Sequence, residues 1–326
     1  MKKIAKWIGL TLLTLILGLF IFVQTTWDKS YDAPYPQITV STDSAVIARG
    51  KYLIYGPGHC STCHVPPEQM QDIDKGIEAP LIGGWEISIP PGTFRAPNLT
   101  PDKETGIGNM SDAELARSLR NMVGADGGLV FGFMECQNMS EEDMGAIISY
   151  LRSTPAIRHE VPPSEYSFMG KALVAFGMIK PKGPTKAPPK SVEKGITIAY
   201  GEYVANDVAA CKICHTKRDL SGAYIGEDYA GGEVFPQEDI FNGYGFISPN
   251  LTKDGESGLL ANWTEQMFID RFRAGRAVKN SPMAWGSYAT MEDVELKAMY
   301  LYLQSLEPVQ NMISQTVYAP GEKMPD

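Results

Sequence analysis

Cys60-Ser61-Thr62-Cys63-His64 and Cys211-Lys212-Ile213-Cys214-His215 are two copies of one five-residue pattern, and they use four of the chain's five cysteines. Two thiols one short turn apart can reach the two vinyl groups of a single porphyrin, and the histidine that follows at once is carried beneath the ring, where it meets the iron. One copy alone would serve equally as a zinc half-site or a redox dithiol. Two complete copies leave only Cys136, His59 and His159 as spare ligands, too few to complete tetrahedral zinc sites. The pattern therefore predicts two covalently attached haem c groups, with thioethers at Cys60, Cys63, Cys211 and Cys214 and proximal iron ligation by His64 and His215.

Outward from the motifs, the sequence repeats. Gly50 stands ten residues before Cys60 and Gly201 ten before Cys211. Ala48-Arg49-Gly50-Lys51-Tyr52 aligns with Ala199-Tyr200-Gly201-Glu202-Tyr203, Pro97-Asn98-Leu99-Thr100 with Pro249-Asn250-Leu251-Thr252, and Tyr150-Leu151-Arg152-Ser153 with Tyr302-Leu303-Gln304-Ser305. The offset is 151 or 152 at every point, so the chain reads as an internal duplication, and its 326 residues suit two domains.

Each half reads as mostly α. A first helix runs into the motif at 44–55 and 192–206, with Gly50 and Gly201 letting the first and last helices approach closely. A middle helix starts at Ser111, where Glu114 completes a capping box, and its counterpart starts near Thr264. The last helix starts at Ser140 and at Met291 or Glu292. The long Gly/Pro-rich stretch between motif and middle helix, such as Ile89-Pro90-Pro91-Gly92, would wrap the porphyrin edge.

A sixth iron ligand is sought in the loop before the last helix. Methionine sulfur favours reduced iron and raises the potential. In the second half Ser281-Pro282-Met283-Ala284-Trp285 offers Met283. The matching loop, Phe131-Gly132-Phe133-Met134-Glu135-Cys136, offers Met134, at nearly the same spacing from His64 as Met283 has from His215. It lacks the proline, and Cys136 and Met139 stand as alternatives. Cys136 reads as a ligand, a buried thiol or a redox-sensitive site. His59 lies on the proximal side of its own motif, and His159 lies beyond the first domain as a surface residue.

Lys2, Lys3 and Lys6 precede an apolar run at 7–23 that contains no charge. No small-x-small cleavage site follows, which favours an uncleaved signal anchor. The lysines then stay on the cytoplasmic side, and everything after Asp28 is exported. This places the chain in a bacterial cytoplasmic membrane, single-pass, with its haem domains on the periplasmic side. Net charge is −9, and −12 without the three leading lysines. That excludes nucleic acid as a partner and suits a basic docking face. The expected layout is an anchor at 1–28, a first domain at 40–155, a linker at 156–191, a second domain at 192–310 and a tail at 311–326. Residues 168–179 of the linker are apolar but too short to span a bilayer, so they read as a packing segment, with membrane contact or partner docking as the alternatives. Residues 180–190 are a Pro/Lys-rich spacer.

The stretch from Gly83-Gly84-Trp85 through Pro97-Asn98-Leu99-Thr100-Pro101-Asp102 to Glu104-Thr105-Gly106-Ile107-Gly108, with its weaker copy from Gly231-Gly232 through Pro249-Asn250-Leu251-Thr252, resembles the cytochrome c subunits of membrane-bound bacterial alcohol and gluconate dehydrogenases, within the wider di-haem cytochrome c family. The resemblance implies two tandem class I cytochrome c domains behind one transmembrane helix, passing electrons without substrate chemistry of their own. It also implies that Pro97, Asn98, Pro249 and Asn250 lie at the haem edge. Those subunits typically carry three haems, whereas this chain has two motifs, so the particular dehydrogenase stays open. The expected function is a single-electron relay from a dehydrogenase or quinol-oxidising complex to an oxidase or another cytochrome, and not an enzyme. The alternative is a di-haem oxidoreductase of the thiosulfate dehydrogenase or peroxidase kind.

Overall fold

The computed structural model describes residues 2–219 and 222–325. It opens with α1 (Lys2–Thr26), an apolar helix of 25 residues, nearly all exposed apart from Val23. The hydroxyls of Thr14, Thr25 and Thr26 donate to carbonyls of their own helix, so they place no unpaired donor on its surface.

The first half holds α2 (Ser44–Tyr55), α3 (Ser61–His64), α4 (Met70–Asp74), β1 (Glu86–Ile89), β2 (Gly92–Arg95), α5 (Asp112–Asn121) and α6 (Glu141–Ser153). These are followed by β3 (Glu165–Tyr166) and α7 (Phe168–Ala175). The second half holds α8 (Ile198–Glu202), a π-helical turn at Tyr203–Val208, α9 (Cys211–His215), β4 (Val234–Phe235), β5 (Gly245–Ile247), α10 (Glu265–Arg273), α11 (Trp285–Tyr288), α12 (Asp293–Ser305) and β6 (Val317–Tyr318). Local chemistry sets the helix starts. Asp43 accepts from Ala45 N at 2.7 Å ahead of α2, Ser111 and Glu114 form the capping box of α5, and Ser140 and Thr264 accept from Asp143 N and Met267 N. One start differs from expectation. The first helix of the second half begins at Ile198, not at 192, because the Thr197 hydroxyl accepts from Tyr200 N at 3.1 Å and caps it there.

Each half also carries a small antiparallel three-stranded sheet, β1-β2-β3 and β4-β5-β6. In both, the middle strand pairs with the strand before it and with one that follows the last helix, as in Gly92↔Tyr166 and Phe246↔Val317. The stretches expected as linker and tail therefore supply the third strands.

Packing repeats with the sequence. A Cβ on Gly50 would overlap the Ala146 carbonyl and stand 2.9 Å from Tyr150 Cβ, while one on Gly201 would overlap the Ala298 carbonyl and stand 2.9 Å from Tyr302 Cβ. Only glycine lets α2 lie this close on α6, and α8 on α12.

The halves meet through a reciprocal pair of tyrosines. Tyr52 on α2 reaches the start of α12, accepting from Glu292 N at 2.9 Å and donating to the Glu295 carboxylate. Tyr203, its repeat equivalent, reaches the start of α6, accepting from Ser140 N at 3.1 Å and donating to Asp143 at 2.7 Å. Each tyrosine thus satisfies an N-terminal N–H of the other half's last helix and the carboxylate that favours that positive helix end. Arg49 joins the two, forking Asp143 at 2.8 and 3.1 Å and reaching Glu295 at 3.4 Å, while Tyr200 donates to Glu295 at 3.2 Å. Burial first, and then the facing carboxylates, raise the pKa of Tyr52, Tyr200 and Tyr203, which keeps all three as protonated donors.

Candidate cofactor sites at the two Cys-x-x-Cys-His motifs

A left-handed residue precedes each motif, His59 at φ 41° and Ala210 at φ 51°. This turn swings the chain into α3 and α9, so that the two cysteines of each motif, three residues apart, share a helix face. All four thiols are free and half-buried. Burial pushes them up, to about 12 for Cys60 and Cys211 and about 11 for Cys214, with Cys63 also raised. A redox dithiol needs the opposite, an environment that favours S⁻. Among the described residues no group of three or more His, Cys, Asp or Glu side chains could hold a metal ion.

The histidines are set more specifically. His64 Nδ1 lies 2.9 Å from the Pro97 carbonyl, and His215 Nδ1 lies 3.4 Å from the Pro249 carbonyl. The main chain of each motif is tied in the same way, Gly83 N donating to His64 O at 2.8 Å and Gly231 N to His215 O at 2.9 Å. Burial lowers both imidazole pKa values, that of His215 to about 4, so both rings are neutral. A neutral ring that faces a carbonyl through Nδ1 must carry its proton there, which leaves the Nε2 lone pair free. Among the described residues no group hydrogen-bonds Nε2 of either ring. This is the tautomer and orientation of a metal-ligating histidine with its outer hydrogen bond in place, so the donor set suits an iron porphyrin bound at each motif.

Of the four residues expected at the haem edge, the prolines act through their carbonyls on the histidines. The asparagine side chains are committed to protein partners. Asn98, 1% exposed, accepts from Thr100 N and Oγ1 and donates to Ile157 O at 2.9 Å. Asn250 does the same with Thr252 and Val309 O, at 2.8 Å to the latter. Both thereby fasten the segment to the chain leaving the last helix. His159, expected at the surface, is half-buried and donates through its main-chain N–H to Thr105 Oγ1 at 3.0 Å.

The loops bearing the two methionines are built differently. Met283 is half-buried against the core, and α11 follows at once. Its loop is braced by Met283 N and Trp285 Nε1 donating to Ser281 Oγ, each at 3.3 Å, and by the Arg271 guanidinium 3.5 Å over the Trp285 ring. Arg276 donates to Ser281 O at 2.6 Å and forks Asp74 on α4 at 2.5 and 3.0 Å, tying this loop to the first half. Met134 is half-buried in a loop without a helix, and its carbonyl accepts from Gln137 Nε2 at 2.7 Å. Phe131 and Phe133 hold that loop against Phe94, at ring separations of 4.0 and 5.6 Å. Cys136 packs against the core, its thiol donating to Leu119 O at 3.5 Å. Burial, with the neighbouring Cys60 thiol, raises its pKa to about 12.

Sequence reasoning missed Tyr288. In the register of the last helices, offset by 152, it is the counterpart of Cys136. Its hydroxyl donates to Ala209 O at 2.8 Å and lies 3.3 Å from His59 Nδ1, so it links the approaches to both motifs. A cavity of about 440 Å³ at the junction, lined by Arg49, Tyr52, Asp143, Tyr200, Tyr203 and Glu292 among others, belongs to the interface and contains no motif residue.

The chain matches no protein-family model. It is 28% identical over 298 residues to the alcohol dehydrogenase (quinone) cytochrome c subunit of Gluconobacter oxydans, covering 86% of this chain and 58% of that one. It is 26% identical over 339 residues to the gluconate 2-dehydrogenase cytochrome c subunit of Pantoea cypripedii, covering 96% and 68%. It is 25% identical over 272 residues to a diheme cytochrome c-type protein of Cereibacter sphaeroides, covering 79% and 85%. The chain thus spans less than two thirds of the length of the alcohol dehydrogenase subunit. Over most of its own length it resembles the cytochrome c subunits of bacterial alcohol, gluconate and fructose dehydrogenases and a di-haem cytochrome c.

Proposed function

We propose that the protein is a membrane-anchored di-haem c-type cytochrome that relays single electrons from a dehydrogenase or quinol-oxidising complex to a downstream oxidase or cytochrome, with no substrate turnover of its own. The observation that carries this reading is the pair of neutral histidines held through Nδ1 to Pro97 O and Pro249 O with Nε2 free. The haem, when bound, supplies a one-electron iron couple. The chain's own residues do the rest. Cys60, Cys63, Cys211 and Cys214 would hold the two porphyrins as thioethers, His64 and His215 would offer Nε2 to the iron, and Met283 and Met134 would offer thioether sulfur. The proline carbonyls stop the rings from rotating and make them better donors. The paired contacts at Gly50 and Gly201 support a reading as two domains in tandem, each of the class I cytochrome c kind. Relatives named as dehydrogenase subunits support a dehydrogenase as donor, and α1 supports single-pass anchoring with the haem domains on the periplasmic side.

The rival reading, a di-haem oxidoreductase, has one observation in its favour, the Cys136 thiol half-buried against the core two residues from Met134. A redox titration of the purified holoprotein, followed by incubation with hydrogen peroxide and with thiosulfate, separates the two. The relay predicts two one-electron waves and no turnover of either compound. Sustained turnover by the isolated chain would replace the relay with the enzyme.

A further inference from the structure

The mechanism leaves the apolar segment around α7 unused, yet it carries a cluster of exposed apolar side chains. Phe168, Met169, Phe176 and Met178 are 47, 45, 55 and 61% exposed. They stand beside α1. Phe20 stacks on Phe168 at 5.7 Å, Phe22 meets Phe176 at 5.4 Å, and Trp27 meets Tyr166 at 5.6 Å. Lys29, just past α1, donates to Val174 O at 3.3 Å and Ala175 O at 2.8 Å, capping the C-terminus of α7. The other end of α7 is fixed to the first half. Ser167 Oγ donates to Pro90 O at 2.7 Å, Gly170 lies against the Pro91 carbonyl with no room for a side chain, and β3 pairs with β2.

We propose that α7 and the turn after it lie in the outer leaflet of the bilayer against α1, so that the protein grips the membrane at two points and the first half is held in a fixed orientation to its surface. This rests on the reading of α1 as a membrane anchor. A hydrocarbon layer of about 30 Å takes roughly 20 helical residues, which on this sequence is 4–23. Phe20 lies three residues before the end of that span, about 4.5 Å inside it at 1.5 Å per residue. Phe20 and Phe22 are then at the depth of the acyl chains, and rings in contact with them share that depth. The eight residues of α7 cannot cross a bilayer, and its C-terminal end is tied to Lys29 at the α1 exit while its N-terminal end is tied to Pro90 and Pro91, so the helix lies in the interface plane. The polar residues fit the same level. The Trp27–Tyr166 pair sits where aromatic rings gather in membranes, and Lys171 Nζ is 4.7 Å over the Trp27 ring.

The test uses the full chain with both haems in liposomes of phosphatidylethanolamine and phosphatidylglycerol. These are irradiated with a carbene reagent confined to the acyl region, and the labelled peptides are mapped by mass spectrometry. Label on both α1 and residues 168–178 is expected. Combining Phe168→Asp with Phe176→Asp should remove label from 168–178 and leave it on α1. Label on α1 alone in the unaltered protein would overturn the proposal and leave the anchor standing. Absence of label from α1 would remove the anchor reading and this inference with it. Label on 168–178 in liposomes that disappears in native membranes would overturn lipid as the occupant in favour of a membrane-embedded protein partner.

Discussion

His64 and His215 face proline carbonyls from the same Pro-Asn-Leu-Thr segment, with the same asparagine fastening beside them, whereas the loops of Met134 and Met283 share almost nothing. One loop is a bare chain pinned by phenylalanines beside a cysteine. The other is stiffened by Pro282, braced on Ser281 and continued as a helix. On the proposed reading, covalent attachment and a neutral, oriented imidazole would demand one geometry, which accounts for its being the same in both halves. The far side only has to deliver a donor atom and exclude water, so it is free to differ, and an axial ligand is a lever on potential.

The sharpest way to break this contrast is to remove each methionine. Met283→Ala should convert one of two haems from low spin to high spin, read by optical and paramagnetic resonance spectra, and Met134→Ala should do the same to the other. If Met134→Ala leaves both haems low spin, the first half takes its sixth ligand from Cys136 or Met139 and the loops differ even in the donor they supply. Next in size are Gly50→Val and Gly201→Val. Both force a side chain into a main-chain carbonyl that cannot move aside, so each should cost about 3 kcal/mol or more by chemical denaturation, toward the upper end for overpacking. Equal losses would support equivalent halves.

The tyrosine pair should respond unequally. Tyr52→Phe leaves Glu295, 1% exposed, with only the longer contacts from Arg49 and Tyr200, and should cost about 2–3 kcal/mol. Tyr203→Phe leaves Asp143 its two-pronged Arg49 partner and should cost about 1 kcal/mol. The smallest effect is at Asp102 and Asp254, equivalent turn residues. The backbone N–H of Thr105 and the hydroxyl of Ser257, respectively, do most to hold their pKa values below the ordinary carboxylate value of 3.8. A lowered carboxylate stabilises the fold above its unfolded pKa and loses that contribution as pH falls through the lowered value. Asp102→Asn with Asp254→Asn should therefore flatten the acid limb of the stability profile below about pH 4 and leave the neutral limb's slope unchanged.

Much of this was legible in the sequence where the chemistry is local. Ser111, Ser140 and Thr264 cap the helices they announce, because a hydroxyl and an N–H three residues on need nothing else. Gly50 and Gly201 were readable as close-approach sites from the repeat. The start of α8 was misplaced because the expected range began at 192, ahead of the cap that the Thr197 hydroxyl provides. The two sheets escaped because their strands are two to four residues long and the third strand of each comes from beyond the last helix. The repeat named Tyr52 and Tyr203, but their partners lie on the other half's last helix, which no local pattern encodes. Tyr288 was hidden by the unequal loop lengths, and the seating of α7 on α1 joins segments that the whole first half separates in the sequence.

On the proposed reading, each half holds one haem through two thioethers and a proximal histidine. Intact mass of the purified chain, paired with a pyridine haemochrome spectrum, tests it directly. Two covalently bound haems per chain are expected, both resistant to extraction with acidified solvent. Fewer than two haems per chain, or haem that the solvent removes, would contradict it.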